Sequence, residues 1–169
     1  MLGRDPDGEV SMAIEEGDKI PAVELELASG GRIALPDQAG KPFVLYFYPK
    51  DDTSGCTREA QDFSAALPEF AALGASVLGV SKDNAAKHQK FAAKYDLTVP
   101  LATDSDGSAL EAFGAWVEKQ LYGRRYMGID RSTFLFAADG TLFRAWRRVR
   151  VPGHVAEVIA AIRDMTARS

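Results

Sequence analysis

The sequence predicts an α/β fold: a central mixed β-sheet with helices on both faces and an N-terminal β-hairpin. Three observations carry this. Phe43-Val44-Leu45-Tyr46-Phe47-Tyr48, between Pro42 and Pro49, and Ser76-Val77-Leu78-Gly79-Val80 are continuous apolar runs of strand length, the pattern of strands covered on both faces. Segments of helical period alternate with them, which implies parallel strands joined by crossovers. Near the end, two strand-like runs flank Asp139-Gly140, a hairpin signal that adds antiparallel strands.

The elements follow in order. Val23 to Ala28 alternates apolar and charged residues, Ser29-Gly30-Gly31 turns, and Arg32 to Leu35 returns, giving the hairpin. Pro36 to Lys41 reads as a loop. After the strand at 43–48, Pro49 to Gly55 is a loop and helix entry. From Cys56, the residues Phe63, Leu67, Phe70 and Leu73 recur at helical spacing. Pro68 predicts a kink or two helical pieces, and Gly74 ends the run. Ala75 to Val80 is a strand. Asp83 or Asn84 caps a helix to about Tyr95. Thr98 to Ala102 is a short strand, and Ser105 or Asp106 caps a short helix through Phe113. Residues 115–129 read as a loop of mixed polar and aromatic character. Thr133 to Ala137 and Thr141 to Val149 form the closing hairpin. A helix from about Gly153 to Ala167 carries Val155, Val158, Ile159, Ile162 and Met165 on one stripe. This order fits a thioredoxin-like sheet. Residues 1–16 read as a flexible leader, and 17–169 as one domain.

Composition narrows the function classes. The chain has 169 residues, 46% hydrophobic and 26% charged, enough for a full core in a single domain. Lys and Arg number 20 against 24 Asp and Glu, a net charge of −4, unfavourable for non-specific binding to nucleic acid. No apolar run approaches the roughly 20 residues of a spanning helix, so no membrane role is expected. The N-terminus has no apolar signal core, which makes the cytoplasm the expected compartment. A single cysteine, Cys56, excludes an intrachain disulfide, a CxxC pair and a cysteine-built zinc site.

That cysteine sits where a strand ends, a loop turns and a helix begins. Unpaired amides and the positive end of the helix dipole favour thiolate over thiol there, and the thiolate is the reactive form. Gly55 allows close approach and a turn. Thr53, three residues upstream, can return its hydroxyl towards the sulfur. The site lies beyond the carboxyl end of a central strand, where open α/β sheets place ligands. On residue type alone a lone cysteine is more often a small buried hydrophobe. Its position argues for reactivity.

Tyr46-Phe47-Tyr48-Pro49-Lys50-Asp51-Asp52-Thr53-Ser54-Gly55-Cys56-Thr57 resembles the active-site signature of peroxiredoxins, closest to the bacterioferritin-comigratory-protein, or peroxiredoxin Q, subfamily. The resemblance continues through Gly79 to Asp83, Lys94-Tyr95, Tyr122-Gly123, Met127 to Leu135, Trp146 to Val149 and Val151 to His154. It implies a thiol-dependent peroxidase in which Cys56 attacks a peroxide oxygen and becomes sulfenic acid. It implies that Thr53 bonds the peroxide and that Arg131 stabilises thiolate and leaving oxygen. Pro49 would shield the site, Glu59 would orient Arg131, and amides near Gly55 and Cys56 would complete the substrate cradle. No cofactor and no metal are implied.

The chain departs from the subfamily in two places. Gln61 stands where many members carry a resolving cysteine, and the helix after Asp83 has no cysteine either. This implies a one-cysteine mechanism with an external thiol reductant (thioredoxin, glutaredoxin or a low-molecular-weight thiol) or a Cys56–Cys56 disulfide between chains. Ser54 replaces the usual proline, which affects loop rigidity more than chemistry. The resemblance suggests a monomer or small homodimer.

Other features are set aside. His88 and His154 lack partners at metal-ligand spacing. His154 reads as a helix-entry or surface residue. The basic stretch Arg144 to Arg150 reads as a solvated sheet edge rather than a nucleic-acid surface. Trp116 and Tyr122 suit a wall near the site, a dimer surface, or ordinary packing. A disulfide oxidoreductase lacks its second thiol. A non-turnover peroxide sensor on the same fold is the alternative function, since sensing and turnover share the first step.

Overall fold

The computed structural model describes residues 3–4, 10–11 and 13–168. Half of the sixteen-residue leader therefore lies outside the described residues. Within it, β1 (Gly3–Arg4) pairs antiparallel with β2 (Val10–Ser11). The last leader residues join the domain: Ile14 is 7% exposed and its N–H donates to the Ala112 carbonyl at 3.1 Å.

The hairpin strands are β3 (Glu24–Leu27) and β4 (Arg32–Ala34). Next come β5 (Phe43–Phe47), α1 (Ser54–Ala72), β6 (Ser76–Ser81), α2 (Ala85–Tyr95), β7 (Leu101–Thr103) and α3 (Ser108–Ala112). After these follow β8 (Trp116–Leu121), β9 (Arg124–Ile129), β10 (Ser132–Phe136), β11 (Leu142–Trp146) and α4 (His154–Ala167). The main sheet runs β11-β10-β5-β6-β7-β3-β4. β5, β6 and β7 are parallel, and the flanking pairs are antiparallel.

Strand periodicity divides the core. On β5, Phe43, Leu45 and Phe47 join Leu110 of α3, Phe134 and Phe136 on one face. Val44 and Tyr46, with Tyr48 just beyond, join Phe63 and Phe70 of α1, Phe91 of α2 and Val158 and Ile162 of α4 on the other. Side chains alternate across a strand, so one continuous apolar run fills two cores. The expected α4 stripe is buried throughout.

Three expectations are corrected. Residues 115–129 form a hairpin, β8–β9, which is a separate two-stranded sheet. Tyr122 (φ 52°) and Gly123 (φ 77°) make its turn, the paired positive φ that two-residue hairpins require. Second, of the two alternatives at Pro68 the two-piece one is overturned, since α1 is one helix with Pro68 inside it. Proline leaves the Ser64 carbonyl without its helical donor, and Thr98 Oγ1 donates to that carbonyl at 3.4 Å instead. Third, α3 has Gly107 at its N-cap, although Asp106 does accept the amide of Ser108, its first residue, while Asp104 accepts those of Ala109 and Leu110. For α2, the alternatives narrow to Asn84, whose Oδ1 accepts the Lys87 amide at 2.8 Å.

β11 lies at the sheet's edge as expected. Its basic neighbourhood is largely engaged within the chain. Arg147 donates to the Phe113 and Gly114 carbonyls at the end of α3, and Arg144 stacks over Trp146. Trp116 is half-buried under the Lys82 ammonium, whereas Tyr122 is 95% exposed at the hairpin tip.

Candidate active site

β5 ends at Phe47 and Tyr48 is buried beyond it. Half-buried Pro49 then opens the turn. Thr53, at φ −103°, is the N-cap of α1, and Thr57 N–H makes a backbone bond to its carbonyl at 2.8 Å. The first-turn amides of Ser54, Gly55 and Cys56 consequently have no acceptor within the helix. The Thr53 side chain does not cap them; Oγ1 donates to the Lys50 carbonyl at 2.9 Å, and the residue is exposed. Cys56, the third residue of α1, is 1% exposed and sits at the positive end of the helix.

Arg131 reaches it through strand register. β10 pairs with β5 so that Ser132 lies opposite Phe47. Arg131, one residue earlier, is thereby delivered to the end of the central strand. Its Nη2 donates to Cys56 Sγ at 3.2 Å, and its Nη1 donates to Glu59 Oε1 at 2.7 Å. One planar guanidinium thus bridges sulfur and carboxylate. Gly55 makes room: a Cβ there would stand 3.2 Å from Arg131 Nη2.

Burial drives the electrostatics. It pushes the Glu59 carboxyl up to about 7, against the pull of Arg131. Glu59 Oε2 is buried without a hydrogen-bond partner, which agrees with a weakened preference for the charged form. For Arg131, burial acts downward but Glu59 and Cys56 outweigh it, and its proton is held more tightly than usual. Arg131 is therefore the fixed charge of the site and Glu59 the titrating one. Tyr46 lies beneath, ring-stacked on Phe63 with centroids 4.4 Å apart. Burial, then the charges of Glu59 and Cys56, keep its hydroxyl protonated. A thiolate beside a fixed cation, with amides aimed outward from a helix end, is suited to attack on an electrophilic oxygen whose leaving atom gains charge.

The AhpC/TSA family model matches residues 16–145. The chain belongs to the peroxiredoxin family. Peroxiredoxin Bcp of Bacillus subtilis is 46% identical over 157 residues, which is 93% of this chain and all of the relative. Peroxiredoxin Bcp of Xanthomonas campestris is 46% identical over 139 residues, 82% of this chain and 87% of the relative. The bacterioferritin comigratory protein of X. campestris, solved as trapped intermediate and ligand complexes bearing on alkyl peroxide reduction, superposes with a TM-score of 0.83 at 42% identity. That match covers 89% of this chain and 99% of the other. This peroxiredoxin is an enzyme, a thiol-dependent peroxidase of thioredoxin-like fold, using a peroxide substrate and a thiol reductant.

Of the residues singled out in the sequence, Cys56, Glu59, Gly55 and Arg131 converge on one another, while Thr53 and Pro49 flank them on the same loop. His154 is corrected. It opens α4 as expected but is buried, with Nε2 2.8 Å from Thr133 Oγ1 and its ring edge-on to Phe63 and Trp146. Burial lowers its pKa to about 4, so at neutral pH it is an uncharged core residue. His88, weighed only as a metal ligand, instead meets Asp51 at 2.7 Å. Its spacing to Phe91 and Tyr95 on α2 already put it on the inward face. Among the described residues, no group of three or more His, Cys, Asp or Glu side chains is placed to hold a metal ion, and no helix is long and apolar enough to cross a membrane.

Proposed function

We propose that this peroxiredoxin reduces hydrogen peroxide and organic hydroperoxides by a one-cysteine mechanism. The Cys56 thiolate attacks the terminal, hydrogen-bearing peroxide oxygen. A sulfur–oxygen bond forms, the oxygen–oxygen bond breaks, and the leaving oxyanion takes a proton to become alcohol or water. Cys56 is left as sulfenic acid. One molecule of external thiol condenses with it, releasing water and forming a mixed disulfide. A second thiol displaces the Cys56 thiolate and leaves as the oxidised disulfide.

The supporting observation is the Arg131 bridge, with Nη2 3.2 Å from a sulfur at a helix N-terminus. In this reading Arg131 stabilises the thiolate and the departing oxygen, and Glu59 orients it. Thr53 and the Gly55 and Cys56 amides bond the peroxide, and Pro49 keeps water off. The external reductant follows from Cys56 being the sole cysteine. X. campestris peroxiredoxin Q has been solved as cysteine-to-serine variants at two different positions, so that relative carries a second thiol where this chain has none. The reductant class is a thioredoxin, a glutaredoxin or a small thiol; the compartment is the cytoplasm, and the assembly a monomer or small homodimer.

The test is catalytic peroxide loss with added thiol, alongside intact mass after peroxide alone. Cys56→Ser is expected to abolish turnover, and the wild-type mass to rise by one oxygen. Activity surviving in the serine variant would overturn the assignment. A single equivalent consumed, followed by arrest with every thiol offered, would favour the sensor.

A further inference from the structure

The loop that carries Pro49 and Thr53 is held from beneath by side chains that the roles above leave unused. Asp51 is 2% exposed and His88 is fully buried. Tyr48 Oη donates to Asp51 Oδ1 at 2.5 Å, and His88 Nδ1 lies 2.7 Å from Asp51 Oδ2 and 3.2 Å from Tyr48 Oη. The other ring nitrogen, Nε2, donates to the Ala102 carbonyl of β7 at 3.0 Å. The Asp51 amide donates to Asp83 Oδ2 at 2.7 Å, and Thr103 Oγ1 donates to the Asp83 carbonyl. The next residue, Asp52, is tied to the far end of α2, accepting from Tyr95 Oη at 2.5 Å and Lys94 Nζ at 2.8 Å. Asp52 has φ 60°, a strained conformation for a non-glycine residue that persists only where the surroundings fix it.

These groups are a costly way to fill space. A buried carboxylate and imidazole are no more stabilising than apolar side chains of the same volume. What they add is direction. Contacts among Tyr48, Asp51, His88 and the Ala102 carbonyl tie these groups to one another, and they hold the backbone two residues before Thr53. The Thr53 hydroxyl is itself aimed by the Lys50 carbonyl, adjacent to Asp51. We propose that Asp51 and His88, with Tyr48, are positioning residues for the peroxidase reaction, holding loop 49–53 so that Thr53 and the first-turn amides of α1 meet the peroxide beside Cys56.

The proposal rests on the peroxidase reading, and the experiment separates the two. In the full chain, two single-turnover rates are measured at Cys56: oxidation by hydrogen peroxide and alkylation by iodoacetamide. Wild-type oxidation tests the peroxidase reading by itself. Alkylation needs a thiolate and access but no peroxide cradle, so a misaimed loop lowers the first rate and spares the second. For Asp51→Ala, oxidation is expected to fall about tenfold or more with alkylation within about threefold of wild type. Asp51→Asn keeps an acceptor for Tyr48 and is expected to recover most of that loss. His88→Asn, able to reach Asp51 but not Ala102, is expected to lie between. If Asp51→Ala does not fold, His88→Asn decides. A wild-type ratio of oxidation to alkylation in folded His88→Asn or Asp51→Ala would overturn the proposal, as would two rates that change together.

Discussion

Glu59 offers the sharpest physical test of the site, because burial and ion pairing act on it in opposite directions. The perturbation is Glu59→Gln, made in a Cys56→Ser background so that the thiol's own titration drops out. Glu59 has its folded-state value raised from 4.5 to about 7. The native state therefore binds its proton more tightly than the unfolded chain does. The stability this contributes is fully present below about pH 4.5 and is lost as pH rises through about 7. At ~1.4 kcal/mol per pH unit, the loss totals about 3 kcal/mol. Glutamine cannot ionise. It keeps an acceptor for Arg131 Nη1 but places an amide where Oε2 has no partner, a pH-independent cost of about 1–3 kcal/mol. Urea unfolding of both proteins from about pH 5 to about pH 8 separates these terms. The stability difference is expected to move towards the glutamine variant by about 3 kcal/mol across that range. A difference that stays constant would refute the reasoning, since it would mean that Glu59 titrates as an ordinary surface carboxylate.

Two further predictions concern fit rather than titration. Arg131→Lys retains the charge but loses the planar fork that spans Cys56 and Glu59, and stopped-flow oxidation of Cys56 is expected to slow by about ten- to a hundredfold, the equivalent of one charged hydrogen bond; an unchanged rate would reduce Arg131 to a bystander charge. Gly79→Ala places a Cβ 2.5 Å from the Tyr46 ring, which is already stacked on Phe63 beneath the site. Chemical denaturation is expected to show a loss of about 1–3 kcal/mol, and full stability would mean that the ring can shift.

What the sequence disclosed follows the range of the interactions involved. Cys56 and Gly55 lie at one helix entry, so local pattern singled them out, whereas Glu59, one turn on, came in through the family resemblance. Arg131 is 75 residues from Cys56 and meets it only through the β5–β10 register; family resemblance, not local pattern, brought it in. Strands buried on both faces were legible as continuous apolar runs, whereas β8 and β9 were not. Tyr126 and Met127 on β9 are about half exposed, as is Leu121 at the end of β8, so little of the hairpin's pattern reports a core. Pro68 read as a break because the Thr98 hydroxyl that relieves it comes from a distant segment. Asp51 and His88 went unpaired in the sequence for the same reason, standing 37 residues apart.

The proline inside α1 has a consequence for how a buried sulfur can be reached. Helix opening proceeds rung by rung from an end, and each rung normally resists with one hydrogen bond. Between Ser64 and Pro68 the rung is missing, replaced by a side-chain latch from Thr98. The nineteen-residue helix is therefore held at its middle from outside as well, since the Thr98 and Val99 amides both donate to Ser64 Oγ. The half before the proline carries Cys56 and is anchored by Phe63 in the core and by the Glu59–Arg131 pair. The half after it is anchored by Phe70 in the core and by the Arg163–Glu69 pair to α4. Bringing the buried sulfur to a reductant thus means loosening the Phe63 packing and the Glu59–Arg131 clamp together with the first turns, not the helix end alone.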